Sequence, residues 1–284
     1  SHNYIYLAVG AQKVRKLDIP GEDLEGVLNP LAFLASVKCG EKVNIGPKVA
    51  VIGGGNTAMD VARTAKRLVG NSGEVVVLYR RTRSEMPAGH EEVTELAVEG
   101  IKVEELVAPE RINGENGKAN EIVFSRMKLD GVDSQGRPKP VKIDGSEVAM
   151  AFDTIIPAAG QIVDVDFVDV TLLKADNATN KTLIPNVFIG GDAKRGASTV
   201  VYAVGDGRKV AENIIFSAKL SGHFKHQPVL KHRSEKEHLI MRSRRIKGVH
   251  PEELPTEERK GFGQVLKSLT PAQAAEESSR CLFC

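Results

Sequence analysis

The spacing of apolar and polar positions changes several times along this chain, and each change predicts a new element. Residues 49–52, Val-Ala-Val-Ile, form an unbroken apolar run, as expected of a strand covered on both faces. Glycines follow. From Thr57 to Val69 the apolar residues Ala58, Val61, Ala62, Ala65, Leu68 and Val69 recur at helical spacing, and Asp60, Arg63, Lys66 and Arg67 fall on the opposite face. "GNSG" at 70–73 stops that helix, and Glu74–Tyr79 reads as the next strand. A second helix is predicted over His90–Glu99, ended by Gly100, with a strand from there through Val107. Strand–helix–strand repetition predicts a parallel sheet with right-handed crossovers. Residues 112–150 break the pattern, because "NGENGKAN" and "DGVDSQGRPKP" are turn-rich and separate short β stretches. They predict an antiparallel flap added to the sheet.

A weak echo organises the rest. "YIYLAVGAQ" (4–12) and "FDTIIPAAGQ" (152–161) are both apolar strands ending Ala-x-Gly-x, and "NVFIGGD" (186–192) is a third strand running into glycines. They are either unrelated buried strands or, the reading preferred here, the first two are crossovers between two interleaved nucleotide-binding domains. A glycine-bearing helix is predicted over Ser198–Phe216. The segment 223–260 is rich in charged residues and poor in apolar ones. Its "RSRRIK" cluster lacks the aromatic interleaving of a nucleic-acid surface and is expected to be a solvated extension.

Composition narrows the partners. The 284 residues are 41% hydrophobic and 27% charged, and 39 basic against 37 acidic residues give a net charge of +2. That balance argues against a polyanionic partner, and no apolar run approaches the roughly 20 residues that span a bilayer. The chain opens on Ser-His-Asn and enters a strand at once, so no secretory leader is expected, and it ends inside an unfinished cysteine pattern. With only three cysteines no disulfide framework is expected. The expectation is a piece of a reduced, cytoplasmic protein with no nucleic-acid or membrane partner.

"GGGNTA" supplies candidate chemistry. It fits G-x-G-x-x-A with Gly53, Gly55 and Ala58, follows a strand and opens an amphipathic helix. The first glycine permits the tight turn, the second lets backbone approach a pyrophosphate, and the small third residue lets helix pack on strand. Backbone N–H groups and the helix dipole then face the phosphates. The choice of nucleotide falls at the end of the second strand, where "LYRRTR" places Arg80 and Arg81, with Arg83 nearby. An acid there would hold ribose hydroxyls, whereas arginine matches a phosphate, so NADP(H) is expected. Glu74 lies about 20 residues past the glycines, a spacing at which a ribose-binding acid is often found, but it opens the strand at the wrong end.

The stretch 182–214 carries a second candidate site. A strand ends at Gly190–Gly191, Asp192 follows, and the next helix begins with Ser198–Val200, whose amides would face an electron-rich ring edge. Gly205 and Gly207 inside that helix each cost roughly 1 kcal/mol against Ala. Either a closely approaching cofactor or backbone, or packing alone, accounts for them.

"PNVFIGGD…GASTVVYAVGDGRKVAENI", with "IGGGNTAMDVART", "YRRTRSEMPAGHEEVTELAVEGI" and "YIYLAVGAQKVRKLDIPGEDLEGV", resembles the glutamate synthase small-subunit family, which includes the reductase part of dihydropyrimidine dehydrogenase. The resemblance covers nearly the whole chain. It implies an α/β, two-dinucleotide-binding Rossmann-like fold, with an NADPH domain inserted in an FAD domain whose N-terminal half, including its glycine fingerprint, is missing here. The implied divisions are 1–40 as FAD-domain remnant and crossover, 41–160 as NADPH domain, 161–222 as the C-terminal half of the FAD domain, and 223–284 as an extended tail. Carried over by position, Gly53, Gly54, Gly55, Asn56, Thr57, Arg80 and Arg81 hold NADPH. Gly10 lies near FAD at the first crossover, and Gly160 and Gln161 lie at the second, where nicotinamide meets flavin. Gly191 and Asp192 serve the flavin ribityl chain, and Ala197, Ser198, Thr199 and Val200 border the isoalloxazine.

"LTPAQAAEESSRCLFC" resembles the helix and cysteine motif through which family members enter an iron–sulfur segment. Cys281 and Cys284 would be two of the four thiolates of a [4Fe-4S] cluster, and Cys39 is expected to be a buried hydrophobe. The implied activity is hydride transfer from NADPH to flavin N5. Single electrons then leave through iron–sulfur clusters to a larger redox or amidotransferase subunit or a ferredoxin-like domain. A thioredoxin-reductase-like enzyme would carry a Cys-x-x-C inside the NADPH domain, and residues 49–150 contain no cysteine. A non-catalytic nucleotide-binding or structural subunit is the remaining alternative.

Overall fold

A computed structural model describes residues 2–134, 136–220, 247–259 and 261–279. The chain divides into two units, 1–217 and 218–284.

The centre of the first unit is a four-stranded parallel sheet of order β5-β4-β3-β9, built from β3 (Lys48–Ile52), β4 (Glu74–Tyr79), β5 (Lys102–Glu105) and β9 (Thr154–Pro157). Past their first residues β3, β4 and β9 are apolar and buried because both faces are covered, whereas the edge strand β5, Lys-Val-Glu-Glu, is only partly buried; successive side chains alternate between two cores. Val49, Val51, Val75, Val77 and Ile156 face the helices α1 (Pro30–Lys38), α2 (Asn56–Val69) and α3 (His90–Val98). Ala50, Ile52, Val76, Leu78 and Ile155 face the other way, onto Val107, Ile112, Ile122 and Phe124. Those last residues belong to the flap. It is a three-stranded antiparallel sheet of β6 (Val107–Glu115), β7 (Lys118–Val132) and β8 (Pro138–Ala151), and it begins five residues earlier than the turn signals at 112 suggest.

Local chemistry sets the helix ends. Asn29 caps α1 by accepting from the N–H groups of Leu31 and Ala32, and Pro30 sits at the first helical position, where a missing N–H costs nothing. Helix α2 ends at Gly70, in a positive-φ conformation. Arg63 and Arg67 of α2 converge on Glu99, just past α3, at 2.8 and 3.0 Å. Burial alone would raise the Glu99 carboxyl, but the two guanidinium groups outweigh it and hold it below its ordinary value. Cys39 stands at the end of α1 and is exposed, contrary to the buried role expected for it. The helix has run out at that point, and only the Cys39 backbone is engaged, donating to Ala35.

A smaller assembly lies outside residues 15–160. β1 (Ile5–Leu7) pairs in parallel with β11 (Val187–Ile189), and both precede the helices α4 (Asp192–Arg195) and α5 (Val200–Ser217). Its core is separate and modest, with Leu173, Ile189 and Ala193 packed by Leu7, Val165 and Ile184. Two short strands join it to the larger sheet: β2 (Lys13–Val14) runs antiparallel to β10 (Gln161–Ile162). These strands sit where the Ala-x-Gly-x echoes end.

In the second unit, Glu253 bridges Leu266, and helix α6 (Pro271–Ser279) starts with a reciprocal cap between Thr270 and Gln273. The Val249 N–H donates to Glu277 at 2.8 Å. Cys281, Cys284 and most of the "RSRRIK" cluster lie outside the described residues. No helix among the described residues is long and apolar enough to cross a membrane.

Candidate functional site

The glycine turn joins the carboxyl end of β3 to α2, beside the carboxyl end of β9. That is the place in an open α/β sheet where flanking strands diverge and ligands bind. Its three glycines are distinguished by what a side chain would meet. A Cβ on Gly53, at φ 145°, would stand 2.3 Å from the Ala158 carbonyl oxygen, and one on Gly54 would stand 2.6 Å from the Tyr79 ring. A Cβ on Gly55 would meet nothing within 4 Å. The first two glycines are thus required by the chain's own packing, and the third faces open space.

Gly55 is also the N-cap of α2, with no side chain capping it. The Ala58 N–H already donates to the Gly55 carbonyl, so the N–H groups of Asn56 and Thr57, with the helix dipole, are the ones available to an anion. The surrounding loop is braced: the Ala88 N–H donates to Gly54, the Gly89 N–H to Asn56 Oδ1, and the Tyr79 hydroxyl to Glu85. The Asn56 side chain is therefore committed to the loop, leaving its backbone amide for a ligand. Gln161 Nε2 donates to Thr57 Oγ1 at 3.3 Å, which ties β10 to the start of α2. The cradle is thus open at Gly55 and bounded by the backbone of Gly54, Asn56 and Thr57, the arrangement that suits an anion at a helix N-terminus.

The arginines after β4 differ. Arg80 is exposed, and it has no carboxylate partner among the described residues. Partial burial, and then the charges of Arg81, Arg137 and Arg15, draw it below its ordinary value. Arg81 was expected beside it at the nucleotide, but its side chain is only 4% exposed and bonds to Asp133 and to the Pro138 carbonyl. These acceptors, supplied by the flap turn, draw inward what sequence places outward. Arg83 pairs with Glu105, and Glu74 with Lys102 at the far end of the strand.

On the other side, Gly10 and Gly160 take positive φ, and the Gly160 carbonyl accepts from the Arg15 N–H. Gly191 follows β11 and donates its N–H to Asp206, while Asp192 accepts from the Ser198 N–H at 3.1 Å. Ala197, Ser198, Thr199 and Val200 are exposed. Asp206 escaped the sequence reading. It is buried in α5, where burial would raise its carboxyl, yet Gly191 and Arg195 hold it below its ordinary value. Its signal was an acid between two glycines in an apolar helix. A Cβ on Gly205 would meet nothing within 4 Å, and one on Gly207 only the Tyr6 hydroxyl at 4.0 Å. Packing among the described residues does not account for either. Val200, Val201 and Val204 alongside them are 67–79% exposed.

The pyridine nucleotide-disulphide oxidoreductase family matches residues 1–207. This chain belongs to that family. Its Rossmann-like fold and its resemblance to the glutamate synthase small-subunit family stand. The NADPH-Fe(3+) oxidoreductase subunit beta of Geobacter sulfurreducens is 32% identical, over 99% of this chain and 48% of that protein. The NADP(+)-dependent formate dehydrogenase subunit beta of Moorella thermoacetica is 36% identical, over 75% of this chain and 31% of its own length. The glutamate synthase [NADPH] small chain of Azospirillum brasilense is 35% identical, over 77% and 49%. The chain thus spans half or less of these relatives. Among solved structures, FprA from Mycobacterium tuberculosis in complex with NADPH has a TM-score of 0.64 at 22% identity, covering 79% of this chain and 66% of that one. Lactococcus lactis thioredoxin reductase has 0.57 at 23%, covering 76% and 66%. These last two likenesses carry the fold alone.

Proposed function

We propose that this chain is the NADPH-binding and partial flavin-binding module of a larger electron-transfer enzyme. The observation that carries the reading is the open cradle at Gly55 with the partnerless Arg80 at the end of the next strand. When bound, the cofactors supply hydride transfer from NADPH to FAD, with onward passage of electrons through iron–sulfur clusters to a partner subunit.

The chain's own part is to bind and orient. Amides from Gly54 to Thr57 hold the pyrophosphate, and Arg80 holds the 2′-phosphate of NADP against the bare ribose of NAD. Gly160 and Gln161 set the approach toward the flavin side, where Gly191, Asp192 and residues 197–200 form one wall and Gly10 lies close by. Cys281 and Cys284 would supply two cluster thiolates. The relatives whose names describe them as subunits or small chains support a partner subunit, which we take to be a redox or amidotransferase subunit.

An absorbance spectrum of the full-length protein, followed by anaerobic addition of NADPH and then of NADH, tests this. A flavin band bleached by NADPH well before NADH is expected. Absence of a flavin band, or a band that neither nucleotide bleaches, would overturn the electron-transfer reading in favour of a nucleotide-binding subunit.

A further inference from the structure

The turn between β7 and β8 reaches back to the end of β4. Arg81 donates from Nε to the Pro138 carbonyl at 2.6 Å and from its terminal nitrogen to Asp133 Oδ2 at 3.0 Å. Arg137 donates from Nε to the same oxygen at 3.1 Å, and its backbone N–H donates to Asp133 Oδ1 at 3.0 Å. One carboxylate thus bridges two guanidinium groups, and with its oxygens so engaged it is poorly placed to neutralise a third. Arg81 is sealed in, with 4% of its side chain exposed, whereas 43% of Arg137 is open. Arg81 is the next residue after Arg80, so the bridge ties Arg137 to the same strand end that carries Arg80.

We propose that Arg137, held by Asp133, is a second arm of the 2′-phosphate pocket and acts with Arg80 to select NADP over NAD, while Arg81 is the buried strut that positions the flap turn. This rests on the reading that the glycine turn takes NADP(H). Two cations on one anion leave this corner short of negative charge, and a phosphate supplies it, two of its oxygens matching the planar fork of a guanidinium. Beyond partial burial, the charges of Arg81 and Arg137 both act to draw Arg80 below its ordinary value. The division of labour also explains why neighbouring arginines have opposite exposures. One arm comes from the strand and the other from the flap, so the flap becomes part of the nucleotide site as well as a cover for the sheet.

Calorimetric titration of the full-length protein with 2′,5′-ADP and with 5′-AMP isolates the 2′-phosphate. The wild type is expected to bind 2′,5′-ADP more tightly than 5′-AMP. Arg137→Gln should lose about tenfold in 2′,5′-ADP affinity, the scale of one charge-assisted contact, with 5′-AMP unchanged. Arg137→Lys should recover part of the loss. If Arg137→Gln binds 2′,5′-ADP like the wild type while Arg80→Gln does not, the inference fails and the NADP reading survives. Equal weakening of both ligands by Arg137→Gln makes the residue a brace of the turn and also overturns the inference. A wild type without preference between the two ligands overturns the NADP reading itself.

Discussion

The turn after β3 and the start of α5 are both glycine-rich approaches to a helix, but their glycines stand in opposite situations. Gly53 and Gly54 are pressed on by Ala158 and Tyr79 of the same chain. Gly205 is pressed on by nothing, and beside it Val200, Val201 and Val204 are exposed. The cores follow the same division: the large sheet has two full layers of buried side chains, and the β1–β11 pair has a cluster of three with a few partly buried neighbours. One half of the molecule meets its packing requirements from within. The other has glycines and exposed valines that no packing among the described residues accounts for.

The sharpest way to break that contrast is Gly53→Ala. The substitution combines an unfavourable backbone conformation with a contact to the Ala158 carbonyl far inside van der Waals distance, and a loss of about 3 kcal/mol or more is expected. Thermal unfolding would measure it. A near-neutral result would mean that the turn is not held by its own chain.

Next in size is Glu99→Gln, which removes the carboxylate that α2's two arginines share. Its side chain is 7% exposed, so a loss of about 3 kcal/mol at neutral pH is expected. The sign of the pH dependence follows from the lowered Glu99 value. A group whose folded value lies below its unfolded one stabilises fully above the ordinary carboxylate range, and that contribution fades as pH falls through the folded value. Denaturant unfolding from neutral to acid pH should show the wild type losing this increment and the variant lacking it throughout. A constant gap between the two would sink the account.

The smallest effect is the most diagnostic. Gly205→Ala is expected to stabilise this chain by about 0.5–1 kcal/mol, because alanine suits a helix and nothing within the chain opposes the methyl group. In the full-length flavoprotein the same change should weaken flavin retention, read as the flavin-to-protein absorbance ratio. Stabilisation in both settings would show that nothing closes on α5.

Elements with a strong period were legible in sequence. Strand β4 falls where the apolar run of 74–79 places it, and α2 where its amphipathic face does, because each is decided by local spacing and by burial on known faces. Arg81 was not legible. Two adjacent arginines look alike until a hairpin more than fifty residues away supplies Asp133 and the Pro138 carbonyl to one of them. Asp206 was missed for a related reason: its partners, Gly191 and Arg195, are fifteen and eleven positions back across a tight turn. Cys39 misled because cysteine is usually buried, whereas a helix end is a place where side chains meet water.

The pairing of Lys13–Val14 with Gln161–Ile162 has a consequence for how such a molecule is assembled. The chain departs and comes home through one doorway. Seen from the β1–β11 side, everything from 15 to 160 is a single surface excursion. Closing a loop costs only slowly more as it lengthens, so the host fold is nearly indifferent to its size. Beside that doorway of two residues on each side, the bond from Gln161 to Thr57 ties the returning strand to the start of α2.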